Sequence, residues 1–217
     1  MTFGSTAGVR PASPADGTEL ALRGDAAHAA DGAVYPVRDG ILDLLDERFV
    51  DPALQGEMEV FASMPVAGVC YFKREYLFRA ARAMARHAGT SRSLATVEIG
   101  GGEGYLARAF KQLFPDAPAC VCDLSTRHLA LAPTDLVRIR CDARRPYLAP
   151  GSVDIAVFWV SLHHFPSQDM RQTLAQAASA LKPGGLLAVF EPNADFLPRR
   201  LLYSTPLKRL VYFDDEE

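Results

Sequence analysis

The chain has 217 residues, 49% of them hydrophobic and 23% charged, with a formal net charge of −3. That balance describes one good-sized packed domain, or one domain with a small appendage, and excludes a disordered chain. A pI near 6.0 excludes a general nucleic-acid binder, which carries a basic face, and no apolar run reaches the ~20 residues that span a bilayer.

The first residues, MTFGSTAGVRPASPADG, lack a basic start followed by an apolar stretch and do not read as a secretory signal. Residues 1–30 are rich in Ala, Gly, Pro and Asp without a period, so a mobile start is expected. Residues 31–50 read as a small β-hairpin segment: Ala33 to Leu45, AVYPVRDGILDLL, gives two short strands around a turn at Arg38-Asp39-Gly40. Residues 51–90 read as a helical cap, in which Arg74 to Gly89 has apolar residues at helical spacing and Gly89 as C-terminal cap.

From residue 91 the pattern turns regular. Apolar runs occur at Leu94–Ile99, Ala119–Cys122, Val137–Arg140, Val153–Val160 and Leu186–Phe190. A helix is expected from about Tyr105 to Phe114, stopped by Pro115, and another from a Ser167 cap through Leu181, ended by KPGG. Strands alternating with helices mean βαβ units, hence an α/β fold: a Rossmann-like, mainly parallel sheet with helices on both faces. Cys70, Cys120, Cys122 and Cys141 show no CxxC spacing and read as reduced thiols of a cytoplasmic protein.

The stretch that asks for a chemical reason is VEIGGGEGYLA, Val97 to Ala107. Clustered glycines lose much conformational freedom on folding. They suit a tight strand-to-helix turn, or a backbone that must come close to a ligand at the helix's unpaired amides. A dinucleotide fingerprint begun at Gly100 needs glycine where Tyr105 stands, and the Lys-Ser/Thr of a triphosphate loop is absent. What stands is Glu98, Gly100, Gly102, Gly104, an acid-x-Gly-x-Gly-x-Gly pattern. It resembles the first motif of the class I methyltransferases that use S-adenosylmethionine. Asp123, ending the second run, sits where an acid can accept hydrogen bonds from a ribose diol. RCDARRPYLAPGSVDIAVFWVSLHHF and LKPGGLLAVFEPN then follow in the order the same family shows.

The resemblance implies S-adenosyl-L-methionine as cofactor, held within a domain over residues 91–217. Glu98, Gly100, Gly101, Gly102 and Gly104 would form the loop around its amino-acid half and Asp123 would take its ribose. Leu124 would cover the adenine face, Asp142 would meet the adenine amino group, the Ala143 amide its ring nitrogen, and Ser161 would lie near the methionine end. His163 and His164 are the candidate catalytic bases, with Glu191 a third acid at a strand end, and a structural role stays open for each histidine. No third ligand is spaced near the histidine pair, so no metal is expected. The absence of an Asn-Pro-Pro-Tyr-like motif argues against the nucleic-acid amino methyltransferases. The acceptor is then a small molecule (aromatic, lipid-like or a natural-product intermediate), and the aromatic and basic stretches before the first run and after the fifth read first as amphipathic helix packed on the sheet and second as an apolar lid over an acceptor with an anionic group. A cofactor-binding scaffold or partner subunit without transfer activity is the alternative. A nicotinamide oxidoreductase is disfavoured by the missing glycine.

YPVRDGILDLL, Tyr35 to Leu45, resembles the end of a small zinc-ribbon module that activates some methyltransferases. The ribbon's cysteines are missing, so a metal-free remnant hairpin docked on the main domain is expected. The family's sheet usually has seven strands, and the proline-bearing residues after Phe190 leave little room for the last two. The edge at Leu186–Phe190 is therefore expected to be covered by a second copy or a partner chain.

Overall fold

The computed structural model of the chain describes residues 8–63, 74–89 and 94–193. Order begins earlier than the composition suggests. Val9, Ala12, Ser13 and Leu20 are buried, and the segment is tied to the main domain by a Pro11–Leu148 bridge and by the Ala12 amide donating to the Tyr147 carbonyl at 3.1 Å. Two short strands follow, β1 (Ala21–Arg23) and β2 (Ala26–His28), paired antiparallel. The mobile start expected for residues 1–30 therefore does not hold from residue 8 onward. Its few apolar side chains find partners that are remote in sequence, which no local period can announce.

The hairpin β3 (Val34–Arg38) and β4 (Ile41–Asp43) forms where its pattern places it. Its two-residue turn puts Asp39 at φ 52° and Gly40 at φ 73°, the left-handed pair that a tight hairpin matching strand twist requires. A 3₁₀ turn at Glu47–Phe49 leads into α1 (Pro52–Ser63), and α2 (Arg74–His87) follows with one buried stripe, Leu77, Ala80, Ala81, Met84 and Ala85.

The remaining strands are β5 (Thr96–Ile99), β6 (Ala119–Asp123), β7 (Val137–Arg140), β8 (Val153–Trp159) and β9 (Leu181–Phe190), joined in part by α3 (Tyr105–Leu113), α4 (Thr126–Leu129) and α5 (Met170–Ala180). All pair in parallel, and the sheet order is β1-β2-β3-β4-β7-β6-β5-β8-β9. β5 is buried at every position and β8 at all but Asp154, as central parallel strands covered on both faces should be. One cluster joins β8 to α2 and α3 through Leu77, Met84, Leu106, Phe110, Ile155 and Val157. The opposite face packs Val97, Ile99, Ala156 and Phe158 against Ala177 of α5 and against Val9, Leu20 and Leu44 of the N-terminal segment.

Two details differ from the sequence pattern. The last helix starts at Met170, not after Ser167, and Leu181 already belongs to β9, which reaches its main register after a shift opposite Val153/Ile155. β4 also adds to the sheet in parallel beside β7, so the N-terminal hairpin lengthens the main sheet. Arg140 Nη1 meets Asp43 Oδ2 at 3.0 Å and the Leu44 amide donates to the Arg140 carbonyl at 2.8 Å. On the other side, β9 is the edge strand among the described residues. The C-terminal stretch whose length raised the question of a covering partner lies outside them, as do residues 64–73.

The chain path fixes where a ligand can go. From β5 it moves outward to β6 and β7, then returns to place β8 on the other side of β5. In open α/β sheets, ligands bind beyond the carboxyl ends of the strands at that reversal.

Candidate cofactor cleft

The loop after β5 is shaped by its glycines. Gly100, Gly102 and Gly104 have φ of 64°, 50° and 68°, the left-handed region that other residues avoid. A Cβ on Gly100 would lie 2.9 Å from the Ser161 Cβ, and one on Gly101 would lie 2.6 Å from the Glu98 Cγ. Glycine here serves both the turn and the close approach of neighbouring loops.

Glu98 lies beneath the loop and does not line the cleft. Its Oε2 accepts the Ala107 amide at 2.7 Å, capping the start of α3 from inside the sheet, where Gly104 supplies no side-chain cap. Burial pushes its carboxyl up to about 7, against the opposing pull of the Ala107 and Leu106 amides. Its part is to tie strand, loop and helix together, since nothing of it reaches the cleft surface.

Asp123 closes the loop from β6. Its Oδ2 accepts the Gly102 amide and its Oδ1 the Ser125 amide, both at 2.8 Å. Burial raises its pKa, while those two amides and the charge of His128 oppose the rise. Each oxygen keeps a second lone pair, which suits a diol.

Gly100, Asp123, Leu124, Asp142, Ala143, Ser161 and His164 line one cleft, together with Leu54, Cys122, Cys141 and Phe165. All four loops beyond β5, β6, β7 and β8 thus meet there. Gly101, Gly102 and Gly104 support the wall from behind. Ser161 Oγ donates to the Ile99 carbonyl at 2.7 Å, pinning the β8 loop to the end of β5. Asp142 accepts from the Arg144 amide at 2.9 Å and from Arg144 Nε at 3.0 and 3.1 Å, and Arg144 Nη1 reaches Asp169 at 2.9 Å. Asp142 is therefore held in one orientation by an arginine that also grips the start of α5. Leu124 keeps its place through its carbonyl, which accepts from Arg140 Nε at 3.2 Å.

His163 stands beside the cleft, not in its wall. Its Nδ1 is 2.5 Å from Glu191 Oε2, and its ring stacks on that of His164 with centroids 4.0 Å apart. Glu191 Oε1 accepts the Leu162 and Ser161 amides at 2.7 and 3.2 Å.

Leu54, Cys122, Cys141 and Arg144 were not singled out by the sequence reading. Cys141 and Arg144 flank Asp142 and could have been found by extending the motif. Leu54 comes from α1, far from every motif, and only tertiary packing brings it here. Burial pushes the Cys122 thiol well above its ordinary range, so it walls the cleft without serving as a nucleophile. Among the described residues, no group of three His, Cys, Asp or Glu could hold a metal ion, and no helix is long and apolar enough to cross a membrane.

Residues 97–185 match the family model described as a methyltransferase domain. Over those residues the chain carries a methyltransferase domain. No curated protein matches the sequence. Among solved structures, the domain is similar to a Pyrococcus horikoshii protein at 18% identity over 60% of this chain and 59% of that one, with a TM-score of 0.50. It is also similar to a Haemonchus contortus phosphoethanolamine N-methyltransferase, at 20% identity, 68% of this chain, 39% of that one and TM-score 0.49. A third is an amino pentose methyltransferase of Micromonospora echinaspora, at 19%, 68%, 59% and 0.49. At these identities the likeness speaks to the fold of the methyltransferase domain alone. The chain spans well under two thirds of the length of each of these three.

Proposed function

We propose that this protein transfers a methyl group from S-adenosyl-L-methionine to a small-molecule acceptor, in the cytoplasm. The observation that carries the reading is the meeting of a glycine loop, a strand-end acid and a second, arginine-held acid in one cleft at the sheet's reversal. The donor set fits such a cofactor. Gly100, with no side chain, lets an anionic or zwitterionic end approach the backbone of the loop. Asp123 accepts from a ribose diol. Leu124 and Ala143 offer apolar surface for a flat base, and Asp142 accepts from an exocyclic amine. When bound, the cofactor supplies an electrophilic methyl on a positively charged sulfur. The chain's part is to orient the partners and exclude water. His164, in the cleft wall, faces the reaction region, and His163 backs it.

One observation favours a second reading, a methyltransferase-like domain that does not transfer. The open cleft measures about 70 Å³, well below the ~300 Å³ at which small-molecule pockets begin. Calorimetry with S-adenosylhomocysteine separates the readings at their root: transfer requires a saturable site, and Asp123→Ala is expected to weaken it by about 1–3 kcal/mol through loss of a charged acceptor. Absence of binding, or unchanged affinity in the variant, removes the cofactor assignment.

A further inference from the structure

The loop after β7 reads Asp142-Ala143-Arg144-Arg145, and its two arginines do different work. The segment is a tight turn: the Arg145 amide donates to the Asp142 carbonyl at 3.0 Å and the Arg144 amide to Asp142 Oδ1 at 2.9 Å. Aspartate suits the first position of such a turn because its side chain takes that amide. Arg145 packs on the N-terminal segment, its guanidinium 4.2 Å from the centre of the Phe49 ring. Arg144 instead joins two acids. Its Nε meets both oxygens of Asp142, and its Nη1 reaches Asp169, the residue before α5.

This triad lies mostly out of water. The side chains of Arg144, Asp142 and Asp169 are 12%, 10% and 21% exposed. Charge-assisted bonds in such a place are strong, and losing the guanidinium would leave both carboxylates without their shared cation. The bonding is uneven. Asp142 Oδ1 accepts two donors, the Arg144 amide and Nε, whereas Oδ2 accepts Nε alone. A carboxylate oxygen carries two lone pairs, so Oδ1 is filled and Oδ2 keeps room for one more donor. Asp142 lines the cofactor cleft, and Arg144 stands behind it. The arginine thus decides which way the acid's spare acceptor capacity is held.

We propose that Arg144 is the positioning residue that makes the cleft select an aminopurine over an oxopurine. The proposal rests on the methyl-transfer reading above, in which Asp142 accepts from an exocyclic amine. A carboxylate accepts hydrogen bonds and donates none. Locked by a guanidinium, it also cannot swing away from a group that repels it. An amine on the base gains a charge-assisted bond, and a carbonyl oxygen in the same place meets a fixed negative charge. Without Arg144, the Asp142 side chain can rotate to avoid the oxygen, and the distinction fades. Arg144 touches no ligand and acts through Asp142, while Asp169 holds the far end of its guanidinium.

S-adenosylhomocysteine and S-inosylhomocysteine differ only along one edge of the base, where a carbonyl oxygen replaces the amine and a ring nitrogen gains a hydrogen. The ratio of their dissociation constants, measured by calorimetry, therefore reads the base end alone. The wild-type protein is expected to favour the amine by at least about tenfold, the worth of one hydrogen bond to a charged group. In Arg144→Met that ratio is expected to fall about fivefold as the bond loses its fixed direction. Asp169→Asn keeps the shape at the start of α5 and frees the far end of the guanidinium, so it is expected to lower the ratio less. It gives the same reading should Arg144→Met fail to fold. Arg145→Met is expected to keep the wild-type ratio. An unchanged ratio in both Arg144→Met and Asp169→Asn, even with both ligands weakened, makes the triad a structural clamp and overturns this proposal alone. An equal fall in Arg145→Met overturns it too. A wild-type ratio near one removes the amine contact of Asp142 together with the proposal, and no binding of S-adenosylhomocysteine removes the cofactor reading itself.

Discussion

The two ends of the main sheet's core, the glycine loop after β5 and the hairpin added beside β7, are built on opposite principles. At the base of the loop space is short: Gly101 has no room for a Cβ, and a buried acid stands where water cannot reach it. In the first N-terminal hairpin a Cβ at Gly24 would meet nothing within 4 Å, and the second hairpin is attached to β7 by backbone pairing, a partly exposed ion pair and the bond from Arg138 Nη2 to the Asp39 carbonyl at 2.8 Å. A crowded site is specified residue by residue. An added edge is specified by being extended and in register.

The largest expected difference comes from Glu98. Its carboxyl holds a proton to about 7 in the folded chain, against the ordinary 4.5. Between those values the folded state binds more protons than the unfolded one, so stability is highest below the window and falls as pH rises through it. Roughly 3 kcal/mol is expected to be lost across that window. Urea titrations at several pH values should show this slope in the wild-type protein and a much flatter one in Glu98→Gln. An unchanged slope would mean that the acid is not held as the loop geometry indicates.

Next in size is Gly101→Ala, whose new methyl meets Glu98 and Val121 at 2.6 to 2.9 Å. Overpacking of this kind costs about 2 kcal/mol, measurable as a lower denaturation midpoint. Gly24→Ala, in open space but at φ 63°, is expected to cost only about 1 kcal/mol. If the two variants fall equally, the contrast between crowded loop and open hairpin fails.

A subtler test is Arg140→Met. It removes the ion pair to Asp43 and the bond to the Leu124 carbonyl while keeping an apolar stem against β7. The ion pair is partly exposed, so the expected loss is about 1 kcal/mol. Hydrogen exchange should quicken at the Leu44 amide, which pairs with Arg140, and leave Val97 and Ile99 on β5 protected. Equal quickening on β5 would show that the hairpin is integral to the core and not an addition to its edge.

Much of the cleft was legible in the chain because its parts are local. Gly100 to Gly104, Asp123, Asp142 and Ala143 each follow a strand whose apolar run marks it, and a parallel sheet brings strand ends together by construction. Glu98 shows the limit of that reasoning. Its place two residues before the first glycine suggests contact with the cofactor, yet pleating turns its side chain under the loop. His163 and His164 show another limit: adjacency in sequence says nothing of which ring faces the cleft, and the Glu191 carboxylate decides it from β9.

The sequence alone determined the alternation of strand and helix from Leu94 to Phe190, the hairpin turn at Asp39-Gly40 and the chemistry of the glycine loop. Each rests on side-chain periodicity or on backbone angles that few residues adopt, and both are properties of neighbours in the chain. Only the tertiary structure decided that residues 8–30 pack, that β4 extends the sheet beside β7, and that Leu54 of α1 joins the wall of the cleft. Those contacts join residues far apart in sequence, and their energy comes from surfaces that exist only once the chain has folded.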